Sequence, residues 1–240
     1  MYEPRTYRNW INDADLVSFN IAVKETDLYI RARRNLRRKA LNAILKYRAD
    51  IEGYIEQHPT FLITLEPFPV QCDAPQIVKE MSLAAGAVSV GPMAAVAGAI
   101  AEHVGRDLLD SSPEVIVENG GDIFLKITKK RLVGIYAGGS PLTGKIALEI
   151  TPEETPLGIC TSSGTVGHSL SFGKADAVVA LAHSAALADA AATAIGNMVT
   201  ETADISRGIE YAQAIKGLTG VIIIKDNKMG MWGEIRIASM

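Results

Sequence analysis

The stretch ALADAAATAIGN, residues 186–197, is apolar along its length, and two polar residues, Asp189 and Thr193, interrupt it four positions apart. On a helix, positions i and i+4 lie one above the other on a single face. A helix apolar all round is normally buried. An ionised carboxylate buried without a partner costs several kcal/mol, or is neutralised by a shifted pKa. Asp189 therefore calls for a cation, backbone N–H groups or a basic side chain. A carboxylate and a hydroxyl on one face suit a hard cation that keeps water and phosphate oxygens as further ligands. The competing reading is structural. Asp189 caps a neighbouring loop, or is protonated and donates one hydrogen bond, and Thr193 bonds its own helix backbone. The surrounding alanines let the sheet, another helix or a ligand come close.

Three further stretches carry polar groups in suggestive settings. In VENGGDIF, Val117 to Phe124, the pair Gly120 and Gly121 separates two apolar runs. A hairpin turn explains the pair; a ligand-facing turn would also use Glu118, Asn119 and Asp122. In GICTSSGTVGHSLSFGKAD, Gly158 to Asp176, an apolar strand end runs into hydroxyls and glycines. Exposed N–H groups and hydroxyls of such a loop can hold phosphate, which nominates Thr161, Ser162, Ser163 and Gly164. No strand–GxxxxGK[ST]–helix pattern is present, and no GxSxG elbow supports a Ser/His/Asp triad. His168 lies in this polar, glycine-rich segment. His58 precedes a proline at a helix end, and His103 and His183 adjoin alanine-rich helices as structural residues. The run RARRNLRRK, Arg31 to Lys39, holds six basic residues in nine and reads as a solvated helix start.

These residues need a scaffold to position them. LVSFNIAVKETDLYIRA alternates as a hairpin from about Leu16 to Arg33. Leu36, Ala40, Leu41, Ile44 and Leu45 then fall at helical spacing. TFLITLEPF reads as a strand ended by prolines. Helices are expected near Pro75–Ala85 and Pro92–Leu109, with Gly91 and Pro92 as stop and restart. Further strands fall in EVIVENGGDIFLKIT, RLVGIYAG, GKIALEIT, LGICTSSG and ADAVVALA. Two helices and a closing hairpin, GVIIIKDNKMGMWGEIRIA, complete the chain. No linker or low-complexity tract divides residues 1–240. The expectation is a single α+β domain with a mixed or largely antiparallel sheet and closely packed small-residue helices.

Composition narrows the classes. The chain has 240 residues, 48% hydrophobic and 21% charged, enough for a sizeable core. A net charge of −3 argues against a polyanion binder. Two cysteines, Cys72 and Cys160, provide neither a disulfide scaffold nor zinc spacing. Met81–Ala101 carries no charge but is rich in Ala, Gly and Ser and broken by Pro92, so it reads as buried helices rather than a membrane span. A soluble, cytoplasmic protein is expected, with a homo-oligomer or a protein partner left open.

Taken together, TSSG, ADAAAT and AIGN, with NGGD ahead of them in order, resemble the C-terminal half of the ApbE family, the FAD:protein FMN transferases. The similarity covers about residues 114 to 200. The whole chain is more similar still to a separate branch of that superfamily from anaerobes and archaea, which carries GHSLSFGKADAVV. The resemblance implies that Asp189 and Thr193 hold Mg²⁺ at the pyrophosphate of FAD, and that FAD or FMN is the phosphate-bearing ligand. It implies a site between NGGD, CTSSG and the Asp189/Thr193 helix, with cofactor contacts from Asn119, Gly120, Gly121, Thr161, Ser162, Ser163 and Gly164. One implied activity is FMN transfer to a protein threonine. The branch also implies a role in assimilating sulfide into homocysteine, as an enzyme or as a non-catalytic partner subunit. The family's His-Ile-x-x-Pro-x-Thr-Gly segment is represented here only by GHSL, so His168 stands in the histidine's place. Cys160 is the better of the two cysteines for sulfur chemistry.

Overall fold

The computed structural model describes residues 8, 10, 15–165 and 171–240. In chain order, the hairpin β1 (Val17–Val23) and β2 (Thr26–Ala32) leads into α1 (Arg37–Gln57), α2 (Thr60–Ile63), α3 (Gln76–Ala87) and α4 (Val96–Leu109). The strands β3 (Val115–Asn119), β4 (Asp122–Lys126), β5 (Arg131–Gly134), β6 (Ile146–Ile150), β7 (Leu157–Ser162) and β8 (Ala177–Ala182) follow. The chain ends with α5 (Ala185–Met198), α6 (Ile205–Ala214), β9 (Leu218–Lys225), β10 (Lys228–Gly233) and β11 (Ile237–Ser239).

Eight strands form one sheet in the order β1-β2-β3-β4-β7-β8-β9-β10, and three form a second in the order β11-β6-β5. Every neighbouring pair is antiparallel. The domain is thus α+β, as the alternation of apolar runs predicts, but RLVGIYAG and GKIALEIT leave the main sheet for the smaller one. The closing segment divides as well: β9 and β10 pair in the large sheet, and β11 crosses to β6.

The inner strands β3, β4, β7, β8 and β9 of the large sheet are buried on both faces, which is why they read as continuous apolar runs, whereas the edge strands β1 and β10 are largely exposed. Side chains alternate across a strand. Val115, Val117, Phe124, Cys160, Val178, Ala180, Val221 and Ile223 face a core shared with the helices. Ile116, Ile123, Leu125, Ile159, Val179, Ile222 and Ile224 face a second core under the small sheet.

Two expectations need correction. TFLITLEPF is no strand: residues 60–63 form a helical turn that starts from Pro59 in the αR region, and only Phe61 of its side chains is buried. Pro59 pre-sets the helical φ, and Pro67 and Pro69 cannot donate to a ladder. The basic run is not all helix start either. Arg31 is a β2 residue 1% exposed, and Arg33 bridges Glu114 and Asp15.

Met81–Ala101 does fold as two helical pieces, bent by 105° between 76–87 and 92–109. Among the described residues no single helix is long and apolar enough to cross a membrane. The bend starts where Gly91 lets the chain pass: a Cβ there would lie 2.0 Å from the Thr64 carbonyl oxygen.

Candidate functional site

Gly120 and Gly121 take positive φ angles of 69° and 109°, and Asn119 pairs directly with Asp122. This is a two-residue hairpin turn, the geometry that asks for glycine at both centres. Glu118 accepts the Gly121 N–H at 2.9 Å and tightens it. The turn lies beside the end of β7, because β4 pairs with β7 through Ile123 and Ile159. Continuing that register brings Asp122 opposite Cys160, and the Asp122 carboxylate accepts the Thr161 N–H at 3.2 Å.

Strand alternation then sorts the side chains. Asn119, Asp122, Cys160 and Ser162 share the face occupied by the helices, whereas Thr161 points to the other face and contributes its backbone. The α5 helix lies over β7 at very short range. A Cβ on Gly158 would fall 2.4 Å from the Ala185 Cα, and one on Gly196 would fall 3.3 Å from the Ser162 hydroxyl. Asp189 and Thr193 thus run along a helix whose two ends flank the polar end of β7.

The α4 helix completes the cluster and explains much of Asp189. A Cβ on Gly98 would sit 2.3 Å from the Ala185 carbonyl oxygen and 2.8 Å from the Asp189 Cβ. At this crossing the Asp189 carboxylate accepts the Gly98 N–H at 2.9 Å, in the first turn of α4. One turn on, Glu102 of α4 accepts the Ala185 N–H at 2.7 Å, in the first turn of α5. The two antiparallel helices cap each other, each with a carboxylate at the other's positive end. The structural reading of Asp189 as a cap therefore holds for one carboxylate oxygen. The expected bond from Thr193 to its own helix does not form: among the described residues its half-buried hydroxyl has no hydrogen-bond partner.

The charge of Asp122 acts on Asp189 across the end of β7. Burial, with Glu118 nearby, pushes Asp122 up to about 7, against the Thr161 N–H and the Cys160 thiol that favour its charge. Burial and the charge of Asp122 raise Asp189 well above the ordinary carboxylate range, against the Gly98 and Ala97 N–H groups. Among the described residues neither has an ion-pair partner. Both would be stabilised as anions by a cation between them.

Cys160 has the opposite character from a reactive thiol. It is fully buried, donates to the Ala185 carbonyl at 3.3 Å, and its pKa is raised well above the ordinary thiol value by burial and by the two aspartates. Reactive cysteines are partly exposed and electropositive in setting. Cys160 is a core residue, and Cys72 is an exposed free thiol on the loop before α3.

The expected cofactor contacts fall into two groups. Asn119 is 8% exposed and its amide donates to the Ala97 carbonyl at 3.1 Å, so it fixes the start of α4. A Cβ on Gly164 would lie 2.2 Å from the Gly173 carbonyl, so this glycine serves packing. Gly120 is exposed, and Gly121, Ser162, Ser163 and Thr193 are accessible in part. His168 lies outside the described residues. Asp122, which the sequence offers only as a flank of the glycine turn, and Glu102, which no motif marks, emerge as members. Alternation from Phe124 already places Asp122 on the helix face, but no local signal ties Glu102 to α5.

Two surface concavities lie elsewhere. One of about 520 Å³ opens between the end of α1 and residues 71–75, beside Tyr54 and His58. One of about 290 Å³ lies between α3 and the start of α5. Neither is lined by Asp189 or Thr193. The convergence of two carboxylates without an ion-pair partner and a hydroxyl without a hydrogen-bond partner, among the described residues, marks the site more strongly than concavity does.

A family model described as AbpE bacteria matches residues 8–222. The chain is 43% identical over 221 residues to a UPF0280 protein of Methanocaldococcus jannaschii, covering 90% of each chain. It is 45% identical over 201 residues to a UPF0280 protein of Methanococcus aeolicus, covering 82% of this chain and 81% of the relative. Among solved structures it superposes on the flavin transferase ApbE from Vibrio cholerae with a TM-score of 0.59 at 15% identity, covering 90% of this chain and 96% of that one. The apo flavinyl transferase ApbE of Pseudomonas stutzeri gives 0.58 at 12% identity, covering 90% and 93%. At those identities the structural likeness establishes the fold.

Proposed function

The chain belongs to the AbpE bacteria family, and on that premise we propose that it holds a phosphate-bearing ligand, a flavin nucleotide, together with Mg²⁺. The observation that carries this reading is the pair of carboxylates, buried Asp122 and half-buried Asp189, both raised in pKa and without an ion-pair partner among the described residues.

The donor set suits a hard cation. Two carboxylates and the unpartnered Thr193 hydroxyl are oxygen donors, and Mg²⁺ takes one or two carboxylates plus water and phosphate oxygens. Among the described residues no three His, Cys, Asp or Glu side chains form a metal cluster, so phosphate and water would complete the shell. Asp189 and Thr193 would hold the ion, with Asp122 close by. Bound there, Mg²⁺ would neutralise charge on the phosphate oxygens.

The chain's own groups fill the remaining roles. The first turn of α4, whose Gly98 N–H Asp189 already accepts, would add the positive end of a helix dipole beside the ion. Ser162 would offer a hydroxyl at the end of β7, next to Ser163, whose hydroxyl bonds Thr165, and the exposed Gly120 would let a ligand approach the turn backbone. Asn119 holds α4 against β3 and Glu102 holds α4 to α5, which would fix the spacing of the oxygen donors.

A second reading, FMN transfer from FAD to a protein threonine, is favoured by the flavin transferases among the fold neighbours. In that reaction the threonine oxygen bonds the FMN phosphorus, the pyrophosphate bond breaks, and AMP leaves. A role in sulfide assimilation, as an enzyme or a partner subunit, gains no support from the residues, since Cys160 is a buried thiol.

Calorimetric titration of metal-stripped protein with FAD and then FMN, with and without Mg²⁺, tests the leading reading. Mg²⁺-dependent binding lost in Asp189→Ala is expected; binding indifferent to both would reject it. For transfer, mass spectrometry of an acceptor peptide should show FMN added only when FAD, Mg²⁺ and Asp189 are all present.

A further inference from the structure

Of the five phenylalanines, Phe19, Phe61 and Phe124 are buried and Phe68 packs against the core, whereas Phe172 is 61% exposed. A single exposed apolar residue is ordinary on a protein surface. Phe172 differs in how firmly its backbone is held and in where it stands. Its N–H donates to the Asn197 side chain at 2.9 Å, and the Lys174 N–H donates to the Val199 carbonyl at 2.7 Å. Between them Gly173 is pressed so close to the end of α5 that a Cβ would lie 1.8 Å from the Gly196 carbonyl oxygen. An aromatic side chain is thus presented to solvent on a backbone pinned at both sides.

The anchor, Asn197, continues the line of Asp189 and Thr193 at four-residue spacing along α5. Eight residues of helix at 1.5 Å rise put Asn197 about 12 Å along the axis from Asp189. A ligand with its phosphates at Asp189 and Thr193 would have to span that distance with its sugar or ribityl arm to place a ring near the anchor of Phe172. In that pose its charged end would lie at the oxygen donors of α5 and its flat end near the exposed ring.

Resting on the flavin-nucleotide reading above, we propose that Phe172 is the platform on which a flat aromatic ring of the bound nucleotide stacks. Stacking on an aromatic side chain is worth about 1–3 kcal/mol per ring, so its loss weakens binding about fivefold to a hundredfold, and tenfold at about 1.4 kcal/mol.

The test compares wild type, Phe172→Ala and Phe172→Trp, with Mg²⁺ present, by titration with FAD, FMN, ADP and inorganic pyrophosphate. The expected result is at least about a fivefold loss of FAD affinity in Phe172→Ala, recovery in Phe172→Trp, and unchanged pyrophosphate binding in all three. Parallel losses for FMN or for ADP identify the ring as isoalloxazine or adenine. Equal FAD affinity in wild type and Phe172→Ala overturns the stacking role while the phosphate site stands. Failure of wild type to bind FAD or pyrophosphate overturns the site reading and the platform with it.

Discussion

Replacing Asp189 by Asn separates the two roles that converge on this side chain. As a cap, Asp189 accepts the Gly98 N–H at 2.9 Å; Asn retains an acceptor there, and Ala does not. As an ion ligand, Asp189 supplies charge, which Asn lacks. Losing a cap costs about 0.5–2 kcal/mol. In metal-free protein Asp189→Asn should therefore melt at or above wild type, because it removes a half-buried carboxyl whose pKa is raised by desolvation and by Asp122. Asp189→Ala should fall below Asp189→Asn by about 1 kcal/mol. With Mg²⁺ and FAD at about a hundred times their Kd, wild type should gain about 2.7 kcal/mol. At roughly 2–4 °C per kcal/mol for a chain of this size, the rise is about 5–11 °C. Both variants should lose most of that gain. Scanning calorimetry on chelator-treated protein reads all six conditions. A Mg²⁺- and FAD-dependent rise in Asp189→Asn equal to that of wild type would refute the reasoning and leave Asp189 a cap alone.

Other outcomes follow from the same geometry. Asp122 titrates near 3.8 when unfolded and at about 7 when folded, so the folded state binds the extra proton between those values. Its contribution is present below the unfolded pKa and lost as pH rises through the folded one, at up to about 1.4 kcal/mol per pH unit. Urea unfolding of metal-free protein should show stability falling from pH 4 to pH 7, less steeply in Asp122→Asn. Gly98→Ala should destabilise by about 1–3 kcal/mol, because overpacking at the α4/α5 crossing exceeds the roughly 1 kcal/mol of helix propensity gained. Gly53→Ala, with nothing within 4 Å of the added Cβ, should instead stabilise by about 0.4–1 kcal/mol. Glu114 is fully buried and bonds both Arg33 and Arg131; Glu114→Ala should cost about 3–5 kcal/mol by stranding buried charge. Chemical denaturation of each purified variant checks all three substitutions.

Local patterns carried most of the fold into the sequence. The hairpins around residues 24–25 and 120–121, the long α1 and the broken helix at Gly91–Pro92 all leave a period or a punctuating residue. The short turn at 60–63 left a misleading one, since an apolar run of that length satisfies strand and helix alike. The small second sheet was illegible because nothing in β5 or β6 alone states which sheet it joins. The site divides similarly. The spacing of Asp189 and Thr193 shows on one helix, and the glycine pair shows on one turn. The Gly98–Asp189 bond links residues 91 apart in sequence, and the Asp122–Thr161 bond links residues 39 apart. Such pairings depend on the tertiary register of β4 on β7 and of α4 on α5. Cys160 reads as the better cysteine for sulfur chemistry beside a hydroxyl loop, and only that register places it under α5.

The most direct test of the central claim is anomalous diffraction from crystals grown with FAD and with Mn²⁺ in place of Mg²⁺. The account predicts a peak bridging the Asp189 carboxylate, the Thr193 hydroxyl and a phosphate oxygen of the nucleotide. Bound FAD with no metal peak at Asp189, or a peak at another position, would contradict it.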